Sequence, residues 1–230
     1  MSRVHDALRK ARAGGPDAPA PTLPGGMAAH ADVPPSAALA DLLGKVQTVP
    51  FNPAPDASLL DPSRPGEAPA EEFRSLRTRL NHIQTLQPIH SLVITSPSPA
   101  EGKSFTAANL AIAQAQLEGN FTLLADFDFR RPVIHTLFQQ PRSPGITDYL
   151  QGKAPLEAII RRLEGTNLFI MTAGEAVLNP LELLNLPEAK HLIDGLPSLF
   201  NWVIIDTPPL LFAADANLLS TMAHALLLVV

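Results

Sequence analysis

The sequence predicts an α/β fold, a mostly parallel sheet with helices on both faces, preceded by a disordered Pro/Ala-rich N-terminal region. Three observations predict it. Residues 92–104, LVITSPSPAEGKS, read as a short apolar, β-branched strand, a Pro/Ser-rich loop and the start of a long helix-forming run. Residues 121–126 and 202–206 are further apolar runs, each ending in an aspartate, Asp126 and Asp206. Continuous apolar runs of this length suit parallel strands covered on both faces, and ligands of such sheets bind outside the strands' carboxyl ends.

The loop supplies the first candidate site. A phosphate cradle needs backbone N–H groups turned inward at a helix N-terminus, a flexible residue at the closest approach, a Lys for the outer phosphates and a hydroxyl for Mg²⁺. Residues 97–104, PSPAEGKS, provide these with Gly102, Lys103 and Ser104, while Pro97 takes the place of the first Gly in G-x-x-x-x-G-K-[ST]. An ordinary strand-to-helix turn would instead leave the Lys103 charge opposing the helix dipole. The fold class is therefore a P-loop NTPase.

Composition divides the chain unevenly. Twelve of its 24 prolines lie in the first 69 of 230 residues, where no helical or strand period persists. Residues 14–69 read as a disordered tether, and residues 70–230 as the P-loop domain. Residues 1–13, MSRVHDALRKARA, can form a short helix with Val4 and Leu8 at i, i+4, suited to a partner or membrane-surface contact or else a frayed terminus. The absence of cysteine is consistent with a reducing compartment, and seven scattered His lack zinc-ligand spacing. A net charge of −5 argues against nonspecific nucleic-acid binding. No apolar run approaches the roughly 18 residues of a membrane span, so a cytoplasmic location is expected.

Downstream elements follow the same pattern. Residues 71–86 place Phe73, Leu76, Leu80 and Ile83 on one helical stripe, with Glu71, Arg74 and Arg77 off it as either a solvated face or an interface. Residues 105–117 read as a helix stopped by Gly119 and Asn120, and residues 121–126 as the next strand. Asp126 and Asp128, two apart at its end, project to one side of an extended backbone, where they can hold Mg²⁺ waters or accept a proton. Arg130 and Arg131 follow, either to stabilise transferring phosphate charge or to anchor a neighbouring carboxylate. Short helices broken by Pro141, Pro144 and Gly152 are expected over residues 133–160, then a strand at 168–172 and helices from Pro180 and Glu188. Asp206 is the expected Mg²⁺-side carboxylate. The apolar run at 225–230 predicts a buried final strand, which ordinarily leads into a loop and covering helix, so the chain reads as cut short.

Taken together, residues 70–230 resemble the bacterial tyrosine autokinases of exopolysaccharide and capsule export, relatives of the MinD/ParA-type P-loop ATPases. TSPSPAEGKS at 95–104 is similar to the family's Walker A, LLADFDFRRP at 123–132 to its second acidic motif, and VIIDTPP at 203–209 to its Walker B. Glu71-x-x-Arg74-x-x-Arg77 matches the element through which members assemble into rings, and NPLELL at 179–184 a further family motif. The opening MSRVHDALRKA resembles stand-alone kinases whose membrane-embedded chain-length partner is a separate protein.

This resemblance implies ATP and Mg²⁺ as cofactors. The loop Pro99, Ala100, Glu101, Gly102, Lys103, Ser104 and Phe105 would hold the phosphates. Lys103 would contact the outer ones, with Ser104, Asp126 and Asp206 on the metal. Asp126 or Asp128 would accept the tyrosyl proton, and Arg130 stands with the catalytic groups. It also implies a homo-oligomer through Glu71, Arg74 and Arg77, recruited to the inner membrane face by its partner. The activity implied is phosphoryl transfer to tyrosines, the alternatives being an ATP-binding regulatory subunit without kinase turnover and a positioning ATPase; Pro97 and Ser98 stand where the latter carries an extra Lys. Two departures bear on the site: Ala100 replaces a usual Gly and is expected to have negative φ, and Phe127 replaces a small residue and is expected to crowd the site. Tyr149 is the chain's one tyrosine, where the family has a tyrosine cluster.

Overall fold

The computed structural model describes residues 37–55, 57–61 and 69–230. Its sheet has seven strands in the order β1-β4-β5-β3-β6-β2-β7. These are β1 Gln47–Val49, β2 Ser91–Thr95, β3 Thr122–Asp126, β4 Ile160–Leu163, β5 Leu168–Met171, β6 Trp202–Asp206 and β7 Ala225–Leu228. The run β5-β3-β6-β2-β7 is parallel throughout, whereas β4 is antiparallel to β5 and carries β1 parallel to itself.

Side chains alternate across this sheet, so each apolar run feeds two cores. Val93, Leu123, Ala125, Val203 and Ile205 face one layer, which holds α7 (Pro180–Leu184), α8 (Pro187–Gly195) and α9 (Ala214–Met222). Leu92, Ile94, Leu124, Trp202 and Ile204 face the other, which holds α2 (Ala70–Leu86) and α3 (Lys103–Ala115). Burial on both faces explains why β2, β3 and β6 are buried along their whole length, carry apolar middles and show no period of two.

Helix α2 is fixed by polar contacts as well as by Phe73. Asn81 Oδ1 accepts hydrogen bonds from the Gln114 side chain at 2.9 Å and the Trp202 indole at 3.1 Å. Arg77 donates to the Ala113 carbonyl of α3 at 2.8 Å.

The structure corrects the tether reading over residues 37–55 and 57–61. Helix α1 (Ala37–Leu43) and β1 lie in that stretch, and β1 adds to the sheet beside β4. Leu60 is buried, and its N–H donates to the buried Asn109 side chain of α3 at 2.7 Å. Phe51 packs against Phe138 with tilted rings, centroids 6.3 Å apart. These partners are 49 to 114 residues away in the chain, so a local hydrophobic period carries no trace of them. Strand β4 leaves no local signal either, because four residues after a one-turn helix, α6 (Leu156–Ile159), fall below the length at which a period is legible. The expected short helices at 133–160 include α4 (Ile134–Leu137) and α5 (Ile146–Leu150). The final strand is corrected too: β7 lies at the sheet edge, with Leu226 and Leu228 exposed. The helix expected over residues 1–13 lies outside the described residues.

Candidate functional site

Strands β2, β3 and β6 are adjacent, and their carboxyl ends bring the loop after β2 against two aspartates. Asp126 and Asp206 are register partners across β3 and β6, and both are fully buried. Asp128 lies two residues beyond β3 on the same side, also buried. Phe127, between the aspartates, turns the opposite way into the core, where its ring lies 5.6 Å from that of Phe129. The expectation that Phe127 crowds the site is therefore corrected: alternation of an extended chain sends it away from the carboxylates.

The loop closes by its own chemistry. Glu101 accepts a hydrogen bond from the Ser98 N–H at 2.8 Å, and Gly102 caps α3 with a left-handed φ of +87°. A Cβ on that turn would be strained, which is what the glycine avoids. Ala100 also adopts a left-handed conformation, with φ of +65°. Its expected negative φ is thus overturned, because the turn needs two left-handed residues and only one is glycine.

Lys103 and Ser104 open α3, and the Lys103 ammonium lies 2.8 Å from Asp128 Oδ2, 3.7 Å from Asp206 Oδ1 and 3.0 Å from Ser104 Oγ. Burial works against its charge, yet Asp206 and Asp128 outweigh burial and its pKa lies above the usual lysine value. Burial pushes the Asp206 carboxyl up to about 6 against the pull of Lys103 and the Ser104 hydroxyl. Among the described residues no donor reaches hydrogen-bonding geometry at either Asp206 oxygen, although both oxygens are buried. Asp126 is raised well above the carboxylate range, chiefly by burial and then by Asp206. Its oxygens accept from the Asp128, Val133 and Ile134 N–H groups at 3.2, 3.1 and 3.0 Å. Asp128 Oδ1 accepts from the Arg131 N–H at 2.9 Å.

The Asp206 oxygens, beside Ser104 and with the Lys103 ion pair at 3.7 Å but no hydrogen bond, fit a hard cation, which takes oxygen ligands. Among the described residues no group of three or more His, Cys, Asp or Glu is arranged to hold a metal by itself. Such sites usually complete Mg²⁺ coordination with water and substrate phosphate oxygens.

Of the predicted site residues, the structure brings together Gly102, Lys103, Ser104, Asp126, Asp128 and Asp206. Arg130 is placed differently. Its Nε and a terminal nitrogen donate to the two Asp215 oxygens at 2.7 and 3.2 Å, so its partner is a protein carboxylate, the second of the two roles open to it. Asp215 itself left no signal in the sequence beyond an acid in the first turn of a helix. Glu71, Arg74 and Arg77 lie on α2, away from this cluster in sequence. Arg74 pairs with Glu71 at 3.3 Å, and Arg77 is held by α3, so Arg77 is more than a solvated charge.

No family model matches the chain. It is similar to the tyrosine-protein kinase YwqD of Bacillus subtilis, 36% identical over 168 residues, covering 73% of this chain and 70% of that protein. It is 35% identical over 204 residues to the putative tyrosine-protein kinase EpsB of Ralstonia solanacearum, covering 89% of this chain and only 26% of that longer protein. Among solved structures, the chimerical protein CapA2B2 superimposes with a TM-score of 0.70 at 32% identity, covering 82% of this chain and 83% of that one. MinD of Pyrococcus horikoshii, solved with Mg-ADP, shares the fold at a TM-score of 0.53 and 21% identity, over 61% and 57% of the two chains. With the P-loop lysine set against buried aspartates from two neighbouring strands, these likenesses identify the chain as a member of the bacterial tyrosine autokinase family of capsule and exopolysaccharide biosynthesis, structurally related to the MinD/ParA P-loop ATPases.

Proposed function

We propose that this chain transfers the γ-phosphoryl group of ATP to protein tyrosine hydroxyls, in the control of polysaccharide chain length or export. One observation carries the reading: a charged Lys103 held between Asp128 and Asp206 where a phosphate loop meets two acidic strand ends.

The residues act as follows. The loop from Pro99 to Phe105 offers backbone N–H groups to the phosphates, and Lys103 leaves the carboxylates for the outer phosphate oxygens. Its departure uncovers Asp128 Oδ2, which accepts the proton of the attacking tyrosine hydroxyl as the new O–P bond forms and ADP departs with the electron pair of the broken one. Ser104 and Asp206 would hold Mg²⁺, with Asp126 behind them through water, and the bound ion would neutralise charge on the phosphate oxygens. Asp126 keeps the loop in place through its three backbone hydrogen bonds.

Helix α2, with Glu71, Arg74 and Arg77, is proposed as the surface between copies of the chain, and a membrane-embedded chain-length protein as the partner that brings it to the inner membrane face. Among the described residues no helix is long and apolar enough to cross a membrane.

A second reading, an ATP-binding regulatory subunit without kinase turnover, is favoured by one feature: both Asp128 oxygens are engaged, by Lys103 and by the Arg131 N–H. The test is transfer of radiolabelled γ-phosphate with Mg²⁺ and a tyrosine-rich acceptor, beside Lys103→Met. Label on the acceptor that disappears in the variant supports the kinase, and nucleotide binding without label supports the regulatory subunit. Transfer undiminished in Lys103→Met overturns the site.

A further inference from the structure

Arg130 is nearly half exposed, yet its guanidinium turns back on the protein and grips a carboxylate that is 1% exposed. That carboxylate, Asp215, lies in the first turn of α9, at the end of a segment that begins at Asp206. The segment is strapped to the end of β2, where the phosphate loop begins: the Thr207 hydroxyl donates to the Ile94 carbonyl at 3.0 Å, the Thr95 hydroxyl to the Pro208 carbonyl at 2.9 Å and the Leu210 N–H to the Ser96 carbonyl at 2.8 Å. On its other side, Arg130 is two residues from Asp128, and the Phe127 N–H donates to the Asp206 carbonyl at 2.9 Å. A closed belt results: Asp206, the strap, Asp215, Arg130, the Asp128 loop and back to Asp206.

We propose that Asp215 is a positioning residue for phosphoryl transfer, acting through Arg130 to hold the 127–131 loop so that Asp128 stays in place when Lys103 moves to phosphate. The function served rests on the kinase reading above. The holding itself does not. A bidentate pair of this kind fixes both position and orientation of the loop it anchors. Arg130 on this view never touches phosphate; its two nitrogens are spent on Asp215.

The test uses the full chain with Asp215→Asn, which is isosteric, Arg130→Gln, at a half-exposed position, their double variant, and Arg130→Lys. Hydrogen exchange on the nucleotide-free chain comes first, with melting curves as the folding control. Exchange of the 127–134 amides is expected to rise about 10-fold in Asp215→Asn and Arg130→Gln, with the core strands unchanged. Phosphoryl transfer is then expected to lose about 10-fold in kcat, with the KM for ATP held within about 2-fold. The double variant is expected to be no worse than either single one, and Arg130→Lys to recover part of the rate. Unchanged exchange overturns the clamp. Raised exchange with unaltered kcat overturns the positioning role, as does an Arg130→Gln loss far above that of Asp215→Asn with a raised KM, which would put Arg130 on phosphate. If the parent chain transfers no phosphate, the kinase reading and the catalytic purpose of the clamp both fall, while exchange still decides whether Asp215 holds the loop.

Discussion

Asp126 and Asp206 face each other as register partners on adjacent parallel strands, both fully buried, and only Asp126 has its oxygens satisfied by backbone N–H groups. The fold thus keeps two carboxylates side by side in a place where neither is comfortable when charged. Such a site costs stability until a cation arrives.

For Asp206 the cost has a definite pH dependence. A folded pKa of about 6 against an ordinary 3.8 means the folded chain binds the proton more tightly. The penalty is absent below the unfolded value, grows between there and about 6, and is complete above it. Nucleotide-free Asp206→Asn is therefore expected to melt higher than the parent at pH 7.5 and to converge with it near pH 4. Melting curves across that range, with Mg²⁺ withheld, check this; the same variant is expected to lose phosphoryl transfer.

Ala100 carries a left-handed backbone that costs a residue with a Cβ about 1–2 kcal/mol. Ala100→Gly relieves the strain, less the added entropy of the unfolded chain, for a net gain of about 0.5–1 kcal/mol in urea unfolding. A loss of stability would show that the loop favours the Cβ.

Arg77 donates a charge-assisted bond to the Ala113 carbonyl, and burial lowers its pKa. Arg77→Ala is expected to cost about 1–2 kcal/mol of unfolding free energy in addition to any effect on assembly. Equilibrium unfolding of the dilute monomer separates the two, and light scattering reads the oligomer.

Gly145 meets the backbone of Thr172 and Gly174 where a Cβ would stand, closer than any Cβ tolerates. Gly145→Ala is expected to force the start of α5 off the 172–174 segment that follows β5, at about 3 kcal/mol or more. The loss of soluble, cooperatively melting protein would register it; an unchanged melting temperature would contradict the packing.

Much of this protein was legible in the chain alone. The apolar runs of β2, β3 and β6 announced strands covered on both faces, since only such strands have no polar side, and Gly102-Lys103-Ser104 with Asp126 and Asp206 marked out the candidate site because phosphate and cation chemistry need those groups at strand ends. The tertiary structure decided the rest. Whether Arg130 reached for a ligand or a carboxylate depended on Asp215, 85 residues away. The docking of β1 and of Leu60 depended on β4 and Asn109, and the direction of Phe127 on the pleat that separates it from its two acidic neighbours. Local patterns record what a residue prefers; a partner distant in sequence is recorded only when the chain has folded.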